Sequence, residues 1–173
     1  MTNLEKYRSL LNDEVQGLFL TSRYSRMYAA EFDISEGYAI VGKKGARYFT
    51  DSRYIESAQK NLKGFEVYDF QGDLFGCLNQ AISDLEISCL GIEEQYLTVR
   101  EFQAFCDKIS ATYKPMQNEI NAFRACKEPW EIDRMIKAQE ITDRAFTEVC
   151  TKIREGMSEK ELAAELIYCL YKN

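Results

Sequence analysis

A chain of 173 residues, 46% hydrophobic and 29% charged, has the make-up of one globular domain with part of another, which excludes a disordered or fibrous protein. The net charge is −6 and no basic run exceeds the pair Lys43-Lys44, which excludes a nucleic-acid partner needing a cationic footprint. There is no histidine, so Ser-His-Asp triads, Cys-His dyads, His-ligated zinc and a His general base are all excluded.

The opening residues, Met1-Thr2-Asn3-Leu4-Glu5-Lys6, lack the apolar stretch of a secretory signal. No segment approaches the roughly 18 apolar residues of a membrane span, so a cytoplasmic protein without membrane contact is expected. Six cysteines, at positions 77, 89, 106, 126, 150 and 169, form no C-x-x-C pair. Their spacing predicts reduced thiols, used mostly as small apolar residues.

In chain order, residues 3–11 predict an amphipathic helix with Leu4, Tyr7, Leu10 and Leu11 on one face. The run Gly-Leu-Phe-Leu-Thr at 17–21 suits a buried central strand. One or two helical turns fit 22–30. Two strands, 37–41 and 46–50, flank Gly42-Lys43-Lys44-Gly45 and predict a hairpin. That tetrapeptide lacks the glycine spacing and Ser/Thr-headed helix of a phosphate loop. Asp51 is expected to cap a helix running to Leu62 and ended by Gly64. A strand at 65–70, a helix at 74–85 and a short strand at 88–93 follow. Thr98 and Glu101 form a Thr-x-x-Glu capping box opening a helix to about Ser110. A weaker strand is expected over 114–120.

Strands alternating with helices imply parallel crossovers, and the hairpin adds an antiparallel part. The predicted fold class is therefore α/β, a mixed sheet with helices on both faces. From residue 123 the character changes to two helices of an incomplete second domain. Pro129 sits at the first turn of a long helix carrying Ile132, Met135, Ile136, Phe146, Val149 and Ile153, which Gly156 is expected to terminate. Ser158 and Glu161 make a second capping box, followed by the stripe Leu162, Ala163, Leu166, Cys169 and Leu170. The expected domains are 1–122 and 123–173. The second lacks a cover for its apolar stripes, as in a chain cut early in a longer protein.

Three segments carry a family resemblance. Residues 37–59, Gly-Tyr-Ala-Ile-Val-Gly-Lys-Lys-Gly-Ala-Arg-Tyr-Phe-Thr-Asp-Ser-Arg-Tyr-Ile-Glu-Ser-Ala-Gln, resemble the hairpin and Thr-Asp-x-Arg-Tyr segment of the creatinase, prolidase and aminopeptidase P N-terminal domain. Residues 123–138, Phe-Arg-Ala-Cys-Lys-Glu-Pro-Trp-Glu-Ile-Asp-Arg-Met-Ile-Lys-Ala, resemble that family's entry into its "pita-bread" catalytic domain. Residues 153–163 are similar to its Gly-Met-Thr-Glu turn. Where the family often has Asn-x-x-Tyr-x-x-Gly-Phe, Tyr28 and Phe32 match, while Ser25 and Glu31 replace the Asn and Gly.

The resemblance implies a parent metallopeptidase, a hydrolase of the Xaa-Pro aminopeptidase or prolidase type. It would cleave the bond before proline in short peptides with two divalent metals (manganese, cobalt or zinc) held by Asp, His and Glu in the catalytic domain. It implies no catalytic residue, metal ligand or cofactor in this chain, whose part would be homodimerisation and active-site access. A catalytically dead peptidase-like binding module is the alternative. An unrelated small-ligand α/β domain is a third reading, against which stands the lack of a Gly-rich loop after the first strand.

The substrate-access or interface candidates are Arg53, Tyr54 and Tyr28. Arg53, expected in the first turn of its helix, opposes the helix dipole, so it either pairs with Asp51 or Glu56 or reaches a neighbouring active-site mouth. Tyr54 and Tyr28 read as half-buried core aromatics or as substrate contacts. Glu93 and Glu94, adjacent on an extended strand, point to opposite faces and do not share a ligand. Glu161 and Glu165 read as a solvated helix face, and Phe102, Phe105, Tyr113 and Phe123 as one core cluster.

Overall fold

The computed structural model describes residues 1–173. Two compact units divide it, Met1–Ala125 and Cys126–Asn173.

In the first unit the elements follow in the order α1 (Asn3–Arg8), β1 (Gly17–Leu20), α2 (Arg23–Ala30), β2 (Tyr38–Gly42), β3 (Ala46–Thr50) and α3 (Ile55–Asn61). Next come β4 (Glu66–Asp69), α4 (Leu74–Asp84), β5 (Cys89–Ile92), α5 (Val99–Lys108), β6 (Thr112–Pro115) and α6 (Gln117–Ala125). Six strands make one sheet in the order β4-β3-β2-β1-β5-β6. β2 is antiparallel to both β1 and β3, while β3–β4, β1–β5 and β5–β6 are parallel. Five strands therefore run one way and β2 alone runs back.

Side-chain alternation along these strands builds two cores. Leu18, Leu20, Ala39, Val41 and Tyr48 face one side, where α1, α2, α3 and α6 bring Leu4, Tyr7, Ala29, Ala58, Leu62 and Ile120. Phe19, Ile40, Phe49, Leu90 and Ile92 face the other side, under Leu78, Ala81 and Ile82 of α4 and Phe105 of α5. The mixed sheet with helices on both faces is thus the observed architecture. The expected aromatic cluster is split by the sheet. Phe102, Phe105 and Tyr113 lie with the second core, whereas Phe123 packs on the first.

Several boundaries differ from expectation, each for a local reason. α1 stops at Arg8 because Leu10 N and Leu11 N bond back three residues, to Tyr7 O and Arg8 O, tightening the last turn. α3 begins at Ile55, not after Asp51. The Asp51 carboxylate accepts from Arg53 N at 2.9 Å and its carbonyl from Tyr54 N at 3.0 Å, so residues 51–54 are spent on a turn. The expected strand at 114–120 is half helix. Pro115 has no N–H for the ladder and ends β6, and α6 starts at Gln117 and continues through the 122–123 position.

The second unit is α7 (Pro129–Cys150) and α8 (Glu159–Lys172). Pro129 occupies the first turn of α7, and Ser158 with Glu161 forms the capping box of α8. α7 ends at Cys150, where the Thr151 hydroxyl bonds Glu148 O at 2.8 Å, so Ile153 is outside the helix. Gly156 sits in the link to α8 in the left-handed region, φ 80°, instead of capping α7. The pair encloses only Ala145, Val149 and Cys169, flanked by Leu162 and Leu166. Ile132, Met135, Ile136, Phe146, Ile167 and Tyr171 are exposed. Glu161 and Glu165 lie on a solvated face as expected, where Glu161 accepts from Ser158 N and Glu165 pairs with Lys152 at 2.7 Å. No helix of the chain is long and apolar enough to cross a membrane.

Cysteines serve as core less often than expected. Cys169 is buried and Cys77 and Cys89 are half-buried, but Cys106, Cys126 and Cys150 are exposed. None is disulfide-bonded.

Candidate functional site

In an open α/β sheet, ligands meet the fold outside the carboxyl ends of its parallel strands. Here that edge gathers the segments at 21–22, 51–54, 70–73, 93–98 and 116–117, together with 36–37 at the start of β2. Thr50, fully buried, ties two of them by donating its hydroxyl to Glu36 O at 2.9 Å. Gly37 can enter β2 only as glycine: its φ is 145°, and a Cβ would lie 2.5 Å from Phe49 O.

Arg53 and Tyr54 lie together on this edge. The Arg53 guanidinium forks onto Asp51, Nη2 to Oδ2 at 2.7 Å and Nε to Oδ1 at 3.1 Å. It also lies over the Tyr54 ring, 5.2 Å from its centroid. The hydrogen bonds from Arg53 hold the Asp51 carboxyl below its ordinary value. Because α3 starts two residues later, the helix-dipole penalty expected for Arg53 does not arise. Its side chain is 68% exposed, so the group is pre-oriented yet open to a visiting anion.

Tyr28 belongs elsewhere. It is buried in the first core, its hydroxyl donating to Phe123 O at 3.2 Å and accepting from Lys6 Nζ at 3.3 Å. Its ring lies tilted against that of Tyr7, with centroids 5.5 Å apart. This is a residue that fastens α1, α2 and α6.

Glu93 and Glu94 part as their alternation predicts, Glu93 buried and Glu94 exposed. Each clamps a different segment. Glu93 Oε2 accepts from Thr21 N at 2.8 Å and Ser22 N at 2.9 Å, while Glu94 Oε2 accepts from Gln117 N at 3.1 Å. Burial pushes the Glu93 carboxyl up, against the opposing pull of the nearby Ser25 hydroxyl and of the Ser22 and Thr21 amides. The sequence offered one clue to Glu93, an acidic residue closing an apolar strand. Its partners lie some 70 positions upstream, and nothing in the sequence connects them.

Chemically the edge can hold and orient a ligand through Arg53, Tyr54 and the clamped segments. Nowhere do three or more His, Cys, Asp or Glu side chains come together to hold a metal ion, so the residues present do not fit a two-metal centre. The Cys77 thiol is pushed up by burial, the opposite of an activated nucleophile.

Sheet and helices define the class: an α/β domain with a mixed six-stranded sheet, followed by a pair of helices. The chain belongs to the Creatinase/Prolidase N-terminal domain family, whose model matches residues 4–126. Residues 133–173 match the Metallopeptidase family M24. The chain is 31% identical over 165 residues to the "Uncharacterized peptidase YqhT" of Bacillus subtilis, covering 94% of this chain and 47% of that protein. Among solved structures it resembles an Xaa-Pro dipeptidase from Bacillus anthracis, with TM-score 0.90, 32% identity, and coverage of 98% of this chain and 48% of the other. It also resembles an X-Pro aminopeptidase from Thermotoga maritima, with TM-score 0.89, 28% identity, and coverage of 99% and 49%. The chain thus spans about half the length of these relatives.

Proposed function

We propose that this chain is the non-catalytic N-terminal half of an Xaa-Pro peptidase, acting through dimerisation and control of access to a catalytic centre formed elsewhere. The observation that carries this reading is the joint one of family and chemistry. The chain follows Xaa-Pro peptidases over about half their length, and it gathers no group of three or more His, Cys, Asp or Glu side chains that could hold a metal ion. The parent would cleave the bond before proline in short peptides, with two divalent metals (manganese, cobalt or zinc) supplying the activated water. Residues 1–122 would be the accessory domain and 123–173 the start of the catalytic one, in a cytoplasmic protein. Arg53, steadied by Asp51 and Tyr54, would present a cation to a peptide carboxylate at the mouth of the partner's site.

The test is direct. The purified 173-residue chain, given Xaa-Pro dipeptides with Mn²⁺, Co²⁺ or Zn²⁺, is expected to release no proline, and turnover by a clean preparation overturns the assignment. Sedimentation is expected to show a dimer; a monomer at every concentration removes the dimerisation role.

A further inference from the structure

The junction between β1 and α2 is closed by a carboxylate far away in sequence. Glu93 is wholly buried and holds the amides of Thr21 and Ser22 through Oε2, across 72 and 71 residues. Its second oxygen, Oε1, has no protein hydrogen-bond partner. Beside it stand two further buried oxygens, Ser25 Oγ of α2 and Tyr7 Oη of α1, also without a partner in good geometry. Ser25 lies close enough to act on both Glu93 and Tyr7, and the Glu93 charge acts on Tyr7.

No cationic side chain bonds the Glu93 carboxylate. The charged and titratable groups around this cluster are otherwise engaged. Lys6 of α1 donates to Tyr28 Oη, Arg124 of α6 lies 5.5 Å over the Tyr24 ring and bonds Asn121, and Glu94 holds Gln117 N. A buried carboxylate with one oxygen unserved and no counter-ion is costly, whereas its neutral acid is not.

We propose that Glu93 makes the seating of α1 and α2 on the sheet proton-linked. A proton taken from solvent binds Oε1 and removes its unmet charge, while Oε2 keeps both amides. The neutral form closes the junction; the ionised form draws water and loosens it. Because residues 21–22 lie on the carboxyl edge, the order of that edge follows the same proton.

The sign is fixed by linkage. A carboxyl raised in the folded state binds its proton more readily folded than unfolded, so stability is gained as pH falls through the folded value. The gain is complete below the unfolded value of 4.5.

The experiment is urea unfolding of the full chain and of Glu93→Gln, compared from about pH 8 down to about pH 4.5. Relative to Glu93→Gln, the wild-type midpoint is expected to rise as pH falls; a gap that stays constant overturns the proposal. A carboxyl-carbon NMR titration of the wild type stands independently of whether that variant folds. A Glu93 midpoint above 4.5 supports the inference, and one at or below 4.5 sinks it. Ser25→Ala removes a hydroxyl that favours the ionised form, so it should move that midpoint higher, and an unmoved midpoint dissolves the cluster.

Discussion

At the scale of single residues, one substitution stands out against the family pattern. Glu31 sits where the pattern the segment resembles has glycine, and it adopts φ 54° as the left-handed cap of α2. A side chain in that conformation carries steric strain that glycine lacks. Glu31→Gly is expected to stabilise the chain by about 0.5–1 kcal/mol, read from a higher urea midpoint. The same scale shows where sequence reading stops. The Asp51–Arg53 pairing was legible because the two residues are neighbours in the chain. The burial of Tyr28 was one of two open readings, and only its contacts with Lys6 and Phe123 decide between them. That Glu93 and Glu94 part to opposite faces was legible from strand parity, but not which of them is buried, nor that Glu93 is the clasp of Thr21 and Ser22.

At the scale of elements, boundaries follow capping chemistry more than hydrophobic period. Both capping boxes read from sequence are made. In α5, Thr98 Oγ1 accepts from Glu101 N at 3.2 Å, and the Glu101 carboxylate returns the bond to Thr98 N at 2.9 Å. Thr98→Ala is expected to cost about 1 kcal/mol, checked by denaturant unfolding. Misreadings came where a local turn overrode the pattern, at residues 51–54 before α3 and at Pro115 before α6. In strand β5, Gly91 is demanded by packing. A Cβ there would stand 2.6 Å from Met116 Sδ and 2.9 Å from Leu18 Cδ2. Gly91→Ala should therefore cost about 1–3 kcal/mol by overpacking, and pairing it with Met116→Ala should recover part of the loss.

At the scale of the whole molecule, the two units differ in what they can hold by themselves. Met1–Ala125 has a core on each side of its sheet, whereas Cys126–Asn173 has three buried apolar residues between two helices. A fragment ending at Ala125 is expected to unfold cooperatively by circular dichroism. A peptide of residues 126–173 is expected to be partly helical at most, since isolated helices without tertiary cover are marginal. A sharp transition in the peptide would contradict this. The fold class was legible from alternating periods of two and three to four residues. The strand order was not, because pairing β1 with β5 is a long-range choice that no local pattern encodes.

That pairing also sets a clock. The β2–β3 hairpin closes over a four-residue turn, with Gly42 N bonded to Gly45 O at 2.8 Å, and can assemble within microseconds. β1 must wait for a partner that is translated some 70 residues later, with Glu93 arriving last to lock the joint. On a ribosome emitting roughly 5–20 residues per second, β1 lies beside β2 with its other flank bare for several seconds. That bare flank is a template for misdirected pairing, and it makes the interval before residue 93 emerges the moment at which a nascent chain most needs shelter.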